Sequence, residues 1–330
     1  MKLNNIELTF ENFANEMAKL KNEKHFDYLV TIIGEDFGEE GLGCIYILEN
    51  TQNNERCSVR TIAKKVDGSD VIPTVTNLWK AADLLEREVF DFVGIKFLGH
   101  PDMRRLFLRT DFVGHPLRKD FDMSPEANKF PLTDEPEDDF TVEYSLDKDG
   151  HLVETKHRLF EEDEYVVNIG PNHPSTHGVL RLQTVIDGET VKRIYPHLGY
   201  IHRGIEKMWE GMTYPQTLAL TDRLNYLSAM MHRHALVGVI EEAMGIELSD
   251  RIRYIRTIMD ELQRIDSHLL FLGCTAQDLG ALTAFLYCMR DREHVLNVME
   301  ETTGGRLIMN YYRIGGLQAD IDPNFVDNTK

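Results

Sequence analysis

Residues 179–195 read VLRLQTVIDGETVKRIY. Two runs rich in β-branched residues, 179–186 and 190–195, flank the pair Asp187-Gly188. Asp-Gly between such runs predicts a hairpin, because Gly accepts the positive φ that a tight turn requires. A further short strand is expected over 166–169, before a Gly/Pro/His-rich loop at 170–178. After Gly204 the apolar spacing turns helical. Pro215 to Met244 is expected as one long helix closed by Gly245. Ser249-Asp250 opens a second helix reaching about Cys274, and a third runs from Gly280 to Gly304-Gly305. The second half of the chain therefore predicts a β-hairpin cap on a bundle of long helices.

On the N-terminal side the hairpin is preceded by an unusual stretch. Residues 122–164 carry fifteen acidic against four basic side chains, with Pro125, Pro131 and Pro136. So much like charge with few apolar anchors predicts an extended acidic connector. Ahead of it, a short amphipathic helix is expected over 10–20. Strands are expected near 26–33, 43–48 and 57–65. A second helix is expected over 77–92, with Trp79, Ala82, Leu85, Val89 and Phe92 on one side. The fold class is α+β, divided as a small α+β domain (1–121), an acidic linker (122–164) and the hairpin-capped bundle (165–330).

Bulk properties remove several function classes. The chain has 330 residues and a formal net charge of −19. That charge opposes binding to a phosphate backbone, so no nucleic acid is expected as a partner, and adsorption to anionic lipid is disfavoured. No run approaches the length a membrane-spanning helix needs, and residues 1–11 have no apolar core of a secretory signal. Cys44, Cys57, Cys274 and Cys288 form no close pair, which predicts reduced thiols in or near cores and no metal site. A cytoplasmic protein is expected, meeting a membrane only through partners. No glycine-rich dinucleotide fingerprint is present.

Three short stretches hold residue types able to do chemistry. The loop at 170–178, GPNHPSTHG, carries His173 and His177 between two strands, where a rigid frame can project polar groups. Its Pro and Gly content argues against the helix that would let both histidines share a metal. Asp222-Arg223-Leu224-Asn225-Tyr226 lies early in the expected long helix, with Arg223 and Tyr226 three apart and so on one face. A tyrosine there can donate a proton, although such spacing more often describes a half-buried core residue. Asp278, at the junction of the second and third helices, could cap a helix or could orient and charge-stabilise a histidine.

Together these stretches resemble a known family. Residues 170–182 (GPNHPSTHGVLRL), 196–207 (PHLGYIHRGIEK), 222–226 (DRLNY), 278–283 (DLGALT) and 310–316 (NYYRIGG) are similar to the 49-kDa-type protein of respiratory complex I. Residues 84–99 (LLEREVFDFVGIKFLG), 100–105 (HPDMRR) and 114–120 (GHPLRKD) resemble its 30-kDa-type protein. Their order on one chain matches the fused C/D subunit of some bacteria. The resemblance implies a peripheral subunit on the cytoplasmic side of the cell inner membrane, within a proton-translocating NADH:quinone oxidoreductase. It implies His177 and Tyr226 hydrogen-bonding a quinone, with Asp278 as the carboxylate partner of His177. Arg223 and Arg313 are implied beside a terminal iron–sulfur cluster held by a neighbouring subunit, with a membrane-arm subunit closing the cavity. NADH and FMN are implied only in other subunits, and the donor could equally be ferredoxin. The bundle is implied to resemble the nickel–iron hydrogenase large subunit. Loss of protons from the site, leaving Asp278 charged, is the implied trigger for pumping.

Two positions depart from the family pattern. Ile308 stands where many relatives have a histidine that bonds the cluster, which implies a lower and less pH-dependent cluster potential, readable by redox titration. Asn225 replaces a usual aspartate, which removes any ion pair from that position. Relatives are expected to continue well beyond residue 330, so the chain is expected to be a fragment. A hydrogenase would need thiolates near 222–226 to hold its metals, and none is there. The competing class is a non-catalytic scaffold joining the cluster-bearing protein to the membrane arm; intact His177, Tyr226 and Asp278 favour the quinone site.

Overall fold

The computed structural model describes residues 4–124, 139–176 and 178–330. Two compact units divide at Gly204/Ile205, and the α+β class is as expected.

The first unit opens with β1 (Asn4–Leu8) and α1 (Phe10–Asn22). β2 (Tyr28–Asp36), β3 (Leu42–Asn50) and β4 (Glu55–Ile62) follow, and complete a four-stranded sheet in the order β1-β4-β3-β2. Alternation of apolar residues along β3 buries Cys44, Tyr46 and Leu48 on one face, the period-2 pattern of a sheet with a core side. A second sheet contains β5 (Lys64–Val66), β6 (Ser69–Pro73) and, after α2 (Ala82–Val93), β7 (Lys96–Leu98). The helix expected over 77–92 starts five residues late: Trp79 is buried, and its indole N–H donates to the Phe26 carbonyl from the turn ahead of α2. Phe13, Met17 and Leu20 of α1 join Val89, Phe92 and Val93 of α2 in one core with these strands.

The expected acidic connector is the main departure. Its residues 125–138 lie outside the described residues. Its later part is a hairpin of β8 (Phe140–Leu146) and β9 (Leu152–Arg158) that extends the second sheet to the order β5-β6-β7-β8-β9. The acidity there serves a turn. Asp147 Oδ1 accepts the backbone N–H groups of Asp149 and His151, and Gly150 takes a φ of 86°. Tyr144 supplies the apolar anchor, buried against Phe90 and beneath the Lys96 ammonium.

β10 (Tyr165–Ile169), the two-residue strands β11 (Asn172–His173) and β12 (Gly178–Val179), β13 (Arg181–Asp187) and β14 (Thr190–His197) complete this unit. The Asp-Gly hairpin is present, with Asp187 paired to Thr190 and sheet order β10-β13-β14.

The second unit is helical: α3 (Ile205–Glu210), α4 (Tyr214–Thr221), α5 (Ala229–Met244), α6 (Asp250–Asp278) and α7 (Leu282–Thr303). A two-stranded ribbon, β15 (Tyr312–Arg313) with β16 (Gly316–Leu317), and α8 (Phe325–Thr329) close it. Gly245 and Gly304 are left-handed caps after α5 and α7, as expected. The single helix expected from Pro215 to Met244 is two. It breaks between Thr221 and Ala229, at the DRLNY motif, for the reasons given below. The core runs through Leu218, Met230, Val237, Met259, Leu296 and Met299. Among the described residues, no helix is long and apolar enough to cross a membrane.

Candidate functional site

The break between α4 and α5 presents Tyr226. Asn225 is extended, with φ −139°, and its side-chain oxygen accepts the Leu227 N–H at 3.2 Å. That bond offers the backbone an alternative to the helix ladder and starts a 3-10 turn at Tyr226–Ser228. Tyr226 is 57% exposed, so the half-buried core alternative does not apply. Arg223 points back to the Ala219 carbonyl and is exposed. The helical face that Arg223 and Tyr226 were expected to share does not exist, because the chain leaves the helix between them.

Beneath this turn lies a buried ion pair. Asp222 Oδ1 accepts Arg233 Nε at 2.6 Å, and both residues are 1% exposed. The remaining Arg233 donors go to the carbonyl oxygens of Leu218 and Tyr312 and to the Asn310 side chain. Asp222 Oδ2 accepts the backbone N–H of Asn310 at 2.8 Å. Asn310 sits at φ +52°, a left-handed conformation that Asn tolerates better than most residues. Two sequence motifs, DRLNY and NYYRIGG, are thus fastened together 88 residues apart.

A second lock holds the rest of NYYRIGG. Buried Arg256 meets both carboxylate oxygens of Glu241 at 2.8 and 2.9 Å and donates to the carbonyls of Arg313 and Gly316. Burial alone would raise the Glu241 carboxyl. The Arg256 bonds, the Gly315 N–H at 2.7 Å and the Arg256 charge outweigh it and hold the group below the usual carboxylate range. The Tyr312 hydroxyl has two acceptors, the Arg256 carbonyl at 2.9 Å and Asp260 at 2.7 Å. Its pKa lies well above the ordinary tyrosine value, first from burial and then from the Asp260 charge. Asp260 also receives His234 Nδ1 at 2.5 Å, on the wall of an open groove between α5 and α6. None of these partners stands out in the sequence. The signal available there is an arginine at a core-facing helix position (Arg233 and Arg256), which requires a buried carboxylate to meet it.

The other expected site residues fall as follows. Arg313 is exposed on β15 and donates to Gln318 at 2.9 Å. Asp278 is the last, exposed residue of α6, not the cap of α7. His177 lies outside the described residues. Its neighbours close a tight loop: His173 pairs with Gly178, and the Thr176 hydroxyl is 2.8 Å from the His173 carbonyl and 3.2 Å from that of Gly178. A Cβ at Gly170, at the base of this loop, would stand 1.9 Å from the Leu180 carbonyl oxygen, so only glycine lets the two backbones approach. Ile308, half-buried, precedes Met309-Asn310.

The first unit has its own polar feature. Asp91, fully buried on α2, accepts the backbone N–H groups of Leu106, Phe107 and Leu108 and pairs with Arg105. Beside it opens a cavity of about 410 Å³, walled by residues 104–110 and 196–200. Neither this cavity nor the α5–α6 groove is lined by Tyr226 or Asp278.

Comparison with known proteins finds two subunit families along the chain. Residues 6–127 match the family described as the 30 Kd subunit of the respiratory-chain NADH dehydrogenase, and residues 278–330 match its 49 Kd subunit family. The chain is 55% identical over 325 residues to the NADH-quinone oxidoreductase C/D subunit of Phocaeicola vulgatus, covering 98% of this chain and 62% of that protein. It is 55% identical to the C/D subunit of Bacteroides fragilis (96% and 61% covered) and 40% identical to the C/D subunit of Aquifex aeolicus that bears the number 2 (97% and 56%). The chain therefore spans about three-fifths of the curated relatives it matches. Both subunit families of the respiratory-chain NADH dehydrogenase are thus matched in order, and the similarity to fused C/D subunits of NADH-quinone oxidoreductase runs through nearly the whole chain.

Proposed function

We propose that the protein helps to form the quinone-reduction site of a proton-translocating NADH:quinone oxidoreductase, on the cytoplasmic side of the membrane. The observation that carries this reading is the lock between DRLNY and NYYRIGG through Asp222, Arg233 and Asn310. It fixes a turn that projects the Tyr226 phenol outward, and preorganisation of that kind is what a proton donor needs.

Reduction of a quinone to a quinol takes two electrons and two protons. The electrons come from an iron–sulfur cluster carried by a neighbouring subunit. Tyr226 supplies one proton from its phenol to one quinone oxygen. His177, paired with Asp278, supplies the other from its imidazole, which a nearby carboxylate makes a stronger base and so easier to reprotonate. Arg223 and Arg313 present fixed positive charge towards that cluster, favouring its reduced form. Residues 1–121 act as a docking domain for other peripheral-arm subunits, and 165–330 carry the quinone site, facing a membrane-arm subunit. The bundle is taken as kin to the nickel–iron hydrogenase large subunit, with the thiolate ligands absent. NADH and FMN belong to other subunits.

Asp278→Asn in the assembled complex tests the pairing. Quinone reduction is expected to fall about tenfold or more while electron transfer from NADH to an artificial acceptor is kept. Equal loss of both activities, or loss of neither, would sink the assignment.

A further inference from the structure

The first compact unit does not stop at the end of the small α+β domain, 1–121. It runs on to Gly204, and so also contains the histidine-bearing loop at 170–178. One group of contacts joins these two parts at the root of that loop. The loop leaves β10 after Ile169 and returns into β13 at Arg181. There Ile169 pairs with Leu182, and Arg181 pairs with His197, the last residue of β14. Just beyond, Gly199 meets the small domain. Its φ is 97°, and a Cβ there would stand 2.0 Å from the Phe107 carbonyl oxygen, so glycine alone permits the approach. The His202 imidazole then stacks on the rings of Phe92 and Phe107, with centroids 5.0 and 5.5 Å away and interplanar angles of 23° and 26°. Phe92 and Phe107 are themselves stacked at 5.7 Å.

These rings are held from behind. The buried Asp91 carboxylate accepts the N–H groups of Leu106, Phe107 and Leu108 at 3.1, 2.8 and 2.9 Å, and bonds to a charged acceptor are the strong kind. They fix the backbone that carries Phe107, while Phe92 is the neighbour of Asp91 on α2 and is buried. β14 is steadied on its flank as well. The Arg104 guanidinium lies 5.9 Å from the Tyr195 ring, and Phe160 meets the same ring edge-on at 5.6 Å. A continuous run of packed groups thus reaches from α2 to the strand ends from which the loop springs.

We propose that the small domain positions the histidine loop, through the stack of Phe92, Phe107 and His202 and the close approach of Phe107 to Gly199. Residues 1–121 then do more than dock other subunits: they set how the loop leaves β10 and β13. His202 is a positioning residue, and its ring acts by its flat shape rather than as an acid or base. The consequence for quinone reduction rests on the reading above, since a loop that carries a proton donor needs its root held to about 0.5 Å.

Hydrogen exchange and turnover of the assembled complex test this together, in His202→Ala and His202→Phe. The bond that His202 Nδ1 accepts from the Gly204 N–H at 3.3 Å is lost in both variants, so their difference reports the stack. His202→Ala opens it. Amide exchange over 165–182 is expected to quicken about tenfold, and kcat for quinone to fall about tenfold with KM little changed. His202→Phe keeps a flat ring and should bring both back to within about twofold of wild type. Electron transfer from NADH to an artificial acceptor is kept in both. Should His202→Ala fail to assemble, His202→Leu replaces it, with a smaller change expected in each readout. Unchanged exchange over 165–182, or a Phe variant as impaired as the Ala variant, would overturn the proposal. Quickened exchange with full quinone reduction would uphold the grip on the loop and count against the quinone reading instead.

Discussion

Each unit buries a glutamate, and the two are kept in opposite ways. Glu86 of α2, in the first unit, is held by neutral donors. It accepts the Thr74 hydroxyl at 2.6 Å and the Val75 N–H at 2.7 Å, and burial pushes its pKa up to about 8. Glu241 of α5, in the second unit, is matched by Arg256 and stays below the usual range. The difference follows from what each acid holds. Glu86 sits beside a core whose strands are already fixed by their ladders, so a neutral acid completing two hydrogen bonds suffices. Glu241 and Asp222 hold a non-repetitive segment, 310–316, to the helices. There a directional ion pair with several carbonyl acceptors sets the register, the use for which buried charge is best attested.

The largest effect should come from breaking that second arrangement. Arg233→Met strands Asp222 and frees Asn310, and chemical denaturation should show a loss of about 3–5 kcal/mol. A loss under about 1 kcal/mol would erase the contrast between the units. Glu86→Gln probes the other side. A carboxyl whose folded pKa is raised binds its proton more tightly when folded than when unfolded. Its protonated form therefore supports the fold at low pH, and that support is lost as pH rises from the ordinary carboxylate value towards about 8. Wild type should lose about 3 kcal/mol more than Glu86→Gln between about pH 5 and pH 8; parallel pH profiles would count against the neutral-acid assignment. Tyr312→Phe removes one hydroxyl from Asp260 and should cost about 1 kcal/mol by chemical denaturation. Asn225→Ala loses only the bond that starts the Tyr226 turn, about 0.5–1 kcal/mol. Its visible effect should be on quinone reduction rather than melting, because the turn is exposed.

What could be read from the sequence divides along the same line. Strand alternation, the Asp187-Gly188 turn and the glycine caps at 245 and 304 are local signals, and the elements they imply are present. The hairpin at 140–158 is masked in the sequence by its charge, because the carboxylates that build its turn also dominate its composition. Asp147 and Asp149-Gly150 carried a turn signal of the same kind as Asp187-Gly188. The helix break at 222–228 has a local part, the Asn225 side chain that accepts the Leu227 N–H, and a non-local part that the sequence does not show: Asp222 answers to Arg233 and Asn310, and no periodicity within one helix records a partner 88 residues away. For the site, the motifs located Tyr226, which the structure places at an exposed turn. The network that fixes it depends on Arg233 of α5 and Arg256 of α6 facing inward, which no local sequence signal records.

The most direct test of the central claim is quinone reduction by the complex purified from native membranes, with Tyr226→Phe against wild type. NADH and reduced ferredoxin are each offered as donor. The account predicts an assembled complex that loses most quinone reduction while its clusters remain reduced. Unchanged quinone reduction in the variant, or purification without a cluster-bearing subunit, would contradict it and leave the chain a scaffold.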